Sequence, residues 1–318
     1  MRLLARVKDT ADAGQTGVLS SPILLGMPAE RRAPGEVSAV DPPTTAAVAA
    51  AATAARRLGI LVGEPVVLHC SNNMVVWLRP SPVVAKVGVG HYDRLAEEIE
   101  IGAYLALHGA PVVGPAAEIP PRVYVEDGHK LTFWQHRPQS GRTPSYRAIA
   151  VTLHALHRVL DTLPGSGRPP LRRIEEGLLL AKRTLAELEG TLAHADRAVL
   201  GEWLDRGIHD FADPDHPAYV LHGSPHDGNV LSTESKPLFI DFETVATGPL
   251  EWDLAHLDER AAHVYPGTCD EQRLALCRTI VSAQVAVWCW AGSGRSPDLL
   301  WHARHHLAAV NRAHGYPR

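Results

Sequence analysis

The strongest constraint in this sequence is an asymmetry about Pro138. Before it, short runs rich in β-branched and aromatic residues alternate with polar turns; after it, apolar residues recur at helical spacing. The stretch EPVVLHCSNNMVVWLRPSPVVAKVG, residues 64–88, reads as a strand, a polar turn at Ser71-Asn72-Asn73, a second strand, a proline turn and a third strand. A helix is expected ahead of it, from Thr44 or Thr45 to Arg57, stopping at Gly59. DRLAEEIEIGAYLALHG follows as an amphipathic helix with Leu95, Ile99, Ile101, Leu105 and Leu107 on its apolar side. Asp127-Gly128 then joins two further strands, 122–126 and 130–136, as a hairpin. Beyond Pro138, helices are expected over 145–160, 174–193 and 197–211, and from 254 to 314 with breaks near 266–270 and 292–298. One polar strand-loop-strand unit, 219–243, interrupts them. The order predicts an α+β protein of two lobes: a small sheet-rich N-lobe over 44–137 and a larger helical C-lobe over 138–318. Residues 1–43 hold no sustained period and read as a disordered or loosely attached leader.

Composition narrows the partners. The 318 residues carry a net charge of -4 and show no basic stripe, so no nucleic-acid partner is expected. No apolar run approaches the ~18–20 residues of a membrane span, so no membrane is expected either. Lys8, Asp9 and Asp12 interrupt the apolar start, which does not read as a secretory signal. The four cysteines form no C-x-x-C pair and read as free thiols of a reducing, cytoplasmic compartment.

The chemistry concentrates in YVLHGSPHDGNVLSTESKPLFIDFETVATGPLEWDLAHL, residues 219–257. It holds His222-Gly223-Ser224, Asn229, Ile240-Asp241-Phe242-Glu243, Gly248 and Asp253-Leu254-Ala255. This segment resembles the catalytic centre of the aminoglycoside phosphotransferase and choline kinase-like family, whose pattern is H-G-D-x-x-x-x-N, a hairpin, I-D-F-E and G-x-x-x-x-D-L-A. The resemblance implies a bilobal protein-kinase-like fold. It also implies a phosphotransferase that uses ATP, with GTP as the alternative, and Mg²⁺ to act on a hydroxyl of a small molecule. Asn229 and Asp241 are oxygen donors that suit the hard Mg²⁺ ion. Phosphoryl transfer asks for such positioning and charge neutralisation more than for covalent chemistry. Asp253 reads as a brace on the loop from the following helix.

Two further pieces lie upstream in the expected order. Lys86, in Val83-Val84-Ala85-Lys86-Val87, resembles the strand lysine that holds the α- and β-phosphates. Glu98 is its best-matched helix partner, with Glu97 and Glu100 as rivals. The stretch Leu131–Arg137 resembles the linker whose backbone would bond adenine, which makes Trp134 and His136 candidate cofactor neighbours. His69–Asn73 sits where the family covers the phosphates, without the G-x-G-x-x-G of protein kinases.

One position departs from the pattern. The family's catalytic aspartate should follow His222-Gly223, and this chain has Ser224. A serine cannot take the acceptor proton as a carboxylate does, and general-base help is typically worth ~10²–10⁴-fold. Asp227 and His226 are candidate substitutes, set against a turn-favouring loop-tip aspartate and a histidine bonded to backbone. The catalytic candidates are thus His222, Ser224 and Asp227. The alternative reading is a catalytically impaired kinase-fold protein that binds nucleotide or metabolite as a regulator. Asp258, Glu259 and Asp270 could attract a cationic substrate, but ordinary surface charge is the reading adopted for them. His302, His305 and His306 read as a stacking or solvated helix face rather than a metal site.

Overall fold

The computed structural model describes residues 42–70, 73–88, 94–165, 170–213, 217–294 and 297–315. Nearly all of the expected leader falls outside them.

The N-lobe opens with α1 (Pro42–Arg57), followed by β1 (Val66–Cys70), β2 (Asn73–Trp77), β3 (Val83–Gly88), α2 (Leu95–Leu107), β4 (Tyr124–Glu126) and β5 (His129–Gln135). Helix α1 starts two residues before the expected caps. Prolines lack only an N–H that the first turn leaves unbonded anyway, so Pro42 and Pro43 fit there. The strands form one antiparallel sheet in the order β1-β2-β3-β5-β4. Alternation along β3 divides its side chains between two cores. Val83, Ala85 and Val87 join α1, Met74, Val76 and Phe133 on one face. Val84 joins Ile99, Ile101, Leu105 and Trp134 on the other, where α2 meets the C-lobe. Lys86 shares the second face with Val84, so strand period alone aims it at the cleft. Leu107, expected on the apolar side of α2, is instead exposed at the last residue of the helix.

The C-lobe comprises α3 (Tyr146–Leu160), β6 (Arg172–Arg173), α4 (Ile174–Glu187), α5 (His194–Phe211), β7 (Tyr219–Leu221), β8 (Val230–Ser232), β9 (Pro237–Phe239), β10 (Ala246–Gly248), α6 (Leu250–Ala255), α7 (Glu259–His263), α8 (Glu271–Gly292) and α9 (Pro297–His314). Strands β8 and β9 are the expected polar hairpin, and β6, β10 and β7 form a separate small sheet. Helix α8 corrects one expectation. It is long and apolar enough, by length and composition, to cross a membrane. Most of it is buried in the centre of the lobe, where Cys277, Ile280, Val285 and Cys289 pack among α4, α5 and α9. His305 stacks on Trp301 along α9, whereas His302, expected on the same stacking or solvated face, is buried.

Candidate functional site at the junction of the lobes

Lys86 lies at the centre of the cleft. Its ammonium donates to Glu98 at 2.8 Å, to Asp241 at 3.0 Å and to Glu243 at 3.3 Å. Burial alone would lower the pKa of Lys86, but Asp241, Glu243 and Glu98 outweigh it and hold the lysine well above its usual value. Glu98 is pushed upward, chiefly by burial and further by Asp241 and Glu243, with Lys86 opposing. Its second carboxylate oxygen is buried with no partner among the described residues. Three carboxylates around one lysine leave an excess of negative charge; Glu98, Asp241 and Glu243 each place an oxygen within 4.8 Å of the others.

Asp241 reaches this point because the chain turns sharply after β9. Its φ of 69° is left-handed, a conformation that costs a non-glycine residue of order 1–3 kcal/mol and recurs at functional sites. Asn229 flanks the same hairpin on its other side, and the Ile240 N–H donates to its carbonyl at 3.0 Å. The Asn229 side-chain nitrogen donates to the Ser224 carbonyl at 3.0 Å, which leaves its oxygen as an acceptor.

The loop between β7 and β8 is clamped from below. Buried Asp253, on α6, accepts from the N–H groups of His222 and Gly223 and from His157, each at 2.8 Å. Tyr265 completes the chain by bonding the other nitrogen of His157 at 2.8 Å. The bracing role read for Asp253 from the sequence is what the structure shows. Gly223 has φ 90°, and a Cβ there would meet the Thr244 carbonyl at 2.0 Å. His222 is fully buried: one ring nitrogen bonds the Ile240 carbonyl at 3.0 Å and the other accepts from the Ser224 N–H at 3.4 Å. Burial lowers its pKa, and with one ring nitrogen accepting from the Ser224 N–H the imidazole serves as a clasp.

Ser224 is buried, and its hydroxyl lies 2.7 Å from that of Thr244, which donates onward to the His222 carbonyl at 3.0 Å. The Ser224 proton therefore points at Thr244. His226 accepts from the Gly228 N–H at 3.1 Å, and burial pushes its pKa down to about 4, so it is a weak base. Asp227 is exposed at the loop tip. The surrounding protein and the Asp258 carboxylate raise its pKa. Asp258 and Asp270 cap α7 and α8, and Glu259 pairs with Arg278.

The linker residues divide. The Trp134 indole is buried, donates to Thr132 at 2.9 Å and packs over Gly102. His136 stacks flat on Trp77 with ring centroids 3.9 Å apart. The N–H groups of Gln135 and His136 are committed to Gly114 and Pro82, so Arg137 carries the next backbone donor of the linker. Three residues escaped the sequence reading. Glu243 completes the carboxylate cluster, and Asn73, at the start of β2, donates to it at 2.9 Å across the cleft. Glu243 stood in plain view in Ile240–Glu243, and Asn73 closes the His69–Asn73 stretch set over the phosphates, though nothing in the sequence pairs the two; Thr244 carried no signal.

A small sheet over a helical lobe, with a lysine–glutamate pair facing a hairpin that bears Asn and Asp, defines a kinase-like protein. The chain belongs to the phosphotransferase enzyme family, whose sequence profile matches residues 70–279. Among solved structures, it is similar to a choline/ethanolamine kinase family protein from Mesorhizobium loti, with 16% identity, 82% of this chain and 93% of that chain covered, and a TM-score of 0.58. It is also similar to an amicoumacin kinase in complex with AMP-PNP, Ca²⁺ and Ami, at 13% identity, 82% and 93% coverage and a TM-score of 0.62. A spectinomycin phosphotransferase in complex with ADP and spectinomycin matches at 15% identity, 81% and 89% coverage and a TM-score of 0.55. At these identities the likeness is one of fold. No curated protein matches the chain.

Proposed function

We propose that this protein transfers the γ-phosphoryl group of ATP to a hydroxyl of a small molecule, with Mg²⁺. The observation that carries the reading is Lys86 held at 2.8 Å by Glu98 and at 3.0 Å by Asp241. Lys86 binds the α- and β-phosphates, and Glu98 keeps it extended into the cleft. Hard oxygen donors and uncompensated negative charge fit Mg²⁺. Asp241 and Asn229 would hold the ion, which would neutralise the triphosphate. The acceptor oxygen bonds the γ-phosphorus as the bond to the bridging oxygen breaks. ADP leaves with that electron pair, and the acceptor proton passes to a transferred phosphoryl oxygen and then to water. Ser224 orients the acceptor hydroxyl without taking its proton. Calorimetric titration with Mg·ATP tests this: binding that requires Mg²⁺ and is lost in Asp241→Asn supports it, and no binding to folded wild-type protein refutes it.

A second reading has its own observation. The Ser224 hydroxyl is engaged by Thr244, His226 is too weakly basic to substitute, and the Asp227 carboxylate lies exposed at the loop tip, so no base of the loop is bonded to Ser224. A regulator that binds nucleotide without turnover is consistent with that. Ser224→Asp separates the two: turnover with an identified acceptor rises if the missing carboxylate limits a working enzyme. A fall sinks that explanation.

A further inference from the structure

A cavity of about 90 Å³ opens against the loop that carries Ser224, with Ser224 and Thr244 in its wall. Gln284 and Trp288, four residues apart and so on one face of α8, form another part of that wall. With Ser224 turned to the acceptor hydroxyl, a molecule in this cavity places an oxygen at the reacting position.

The charges around the cavity cancel. Arg94 is paired with Glu97, and Arg173 reaches Glu175 through Nε at 2.8 Å and a terminal nitrogen at 2.7 Å. Arg172 has a partner as well, and the Glu176 carboxylate stands in the same wall. Three guanidinium groups are thus matched by three carboxylates. A charged ligand would shed its hydration here and meet no uncompensated opposite charge, which is a net cost. An uncharged ligand escapes that cost.

The polar groups beside Ser224 point the same way. The Trp252 indole N–H is committed to the Gly223 carbonyl at 3.0 Å. Gln284 is not committed: it is 7% exposed, lines the cavity and makes no hydrogen bond among the described residues. Gly177 leaves its amide room, since a Cβ there would stand 3.3 Å from the amide nitrogen. A buried amide is costly to leave unpaired. It offers N–H donors and an acceptor oxygen together, and a hydroxyl, which both donates and accepts, answers both. Trp252 and Trp288 add indole surface to the lining, suited to the C–H faces of a polyol.

We propose that this cavity selects an uncharged polyhydroxyl molecule, with one hydroxyl at Ser224 and a second bonded by Gln284, which sets specificity. The role of that molecule as phosphoryl acceptor rests on the phosphotransferase reading; the selectivity of the cavity for an uncharged ligand does not.

The test is calorimetry on the full chain with D-glucose and myo-inositol as uncharged probes, choline and kanamycin as cationic ones and D-glycerate as an anionic one. Each is titrated with and without saturating Mg·AMP-PNP. At least one uncharged probe is expected to bind, and to do so alongside the nucleotide. Gln284→Met, which keeps the length of the side chain and removes the amide, should weaken that probe about fivefold or more, the size expected when a hydrogen-bond partner is lost. Its affinity for Mg·AMP-PNP should stay unchanged. Its Tm should equal or exceed that of the wild type, because an unpaired buried amide is gone; a glutamine with a merely structural role would instead lower Tm and leave probe affinity alone. Gln284→Ala, with the strongest helix former, makes the same comparison if Gln284→Met folds poorly. Preference of the wild type for choline, kanamycin or D-glycerate over both uncharged probes, binding of neither uncharged probe by protein that binds Mg·AMP-PNP, competition between probe and nucleotide, or undiminished probe binding in the Gln284 variants would each overturn the proposal. Uncharged-probe binding without nucleotide binding would instead refute the phosphotransferase reading and leave the site standing.

Discussion

Replacing Asp253 by asparagine isolates the clamp on the loop. Asp253 has no exposed surface; Oδ2 serves His222 N–H and His157, and Oδ1 serves Gly223 N–H, all at 2.8 Å. Asparagine keeps the shape but only one acceptor oxygen. The better orientation keeps that oxygen on the two-donor side and turns an NH₂ toward the Gly223 N–H. One charge-assisted bond, ~1.5–3 kcal/mol, is lost, and a buried donor is orphaned at a further ~1–3 kcal/mol. A net loss of about 3 kcal/mol follows, or roughly 6–12 °C in Tm. Acid titration adds a signature. Burial would raise the Asp253 pKa, but the His157 hydrogen bond and the neighbouring His157, His222 and His256 imidazoles outweigh it and lower the value. A depressed folded pKa gives stability that is complete above the unfolded value, near 3.9, and is lost as pH falls through the folded value. The gap between wild type and Asp253→Asn should therefore be full at pH 7 and shrink below about pH 4. Urea unfolding followed by circular dichroism at several pH values reads both quantities. Equal stability of the two proteins at pH 7, within about 0.5 kcal/mol, would refute the clamp.

Gly223→Ala should destabilise more severely than an ordinary surface change, because the new Cβ meets backbone at 2.0 Å on a left-handed residue; soluble protein with wild-type Tm would contradict this. Lys86→Met leaves Glu98, Asp241 and Glu243 uncompensated, and breaking such a buried pair costs about 3–5 kcal/mol. Added Mg²⁺ should restore part of that loss in a melting experiment, whereas no response to the ion would count against the carboxylate cluster as a cation site. Burial pushes His226 and His306 down to about 4 and His256 to about 3, all below the unfolded imidazole. Between pH 6.5 and 5 the unfolded chain binds protons that the folded one refuses, so stability falls on acidification by about 2 kcal/mol per histidine. Chemical denaturation at pH 7 and pH 5 checks the sum, and a flat profile rejects it.

What the sequence revealed of this site follows the range of each interaction. Lys86 and Glu98 were legible through the family resemblance, which sets a strand lysine ahead of a helix glutamate, and only twelve positions separate them. Asp253 was legible because its spacing from the loop repeats a known pattern. Glu243 and Asn73 meet across 170 positions, and no periodicity links a turn in one lobe to a hairpin in the other. Trp134 sat in the right segment, but register decides whether an indole faces ligand or core, and the opposition of Val84 and Trp134 sends it to the core.

Ser224 shows the limit most clearly. Its substitution for a carboxylate is visible in the sequence, yet what the hydroxyl does depends on Thr244, twenty positions on and 2.7 Å away. The loop itself is held by Asp253, Gly223 and His222, and of these contacts only the 3.4 Å bond from the Ser224 N–H involves residue 224, through its backbone. A scaffold that does not depend on the side chain at 224 tolerates aspartate there without losing its shape. The carboxylate would accept from the Asn229 amide and face the Thr244 hydroxyl, whose proton would turn to it from the His222 carbonyl. Unchanged stability in Ser224→Asp is therefore expected, and a variant that loses its fold would show that the serine hydroxyl, rather than the clamp beneath it, holds this loop.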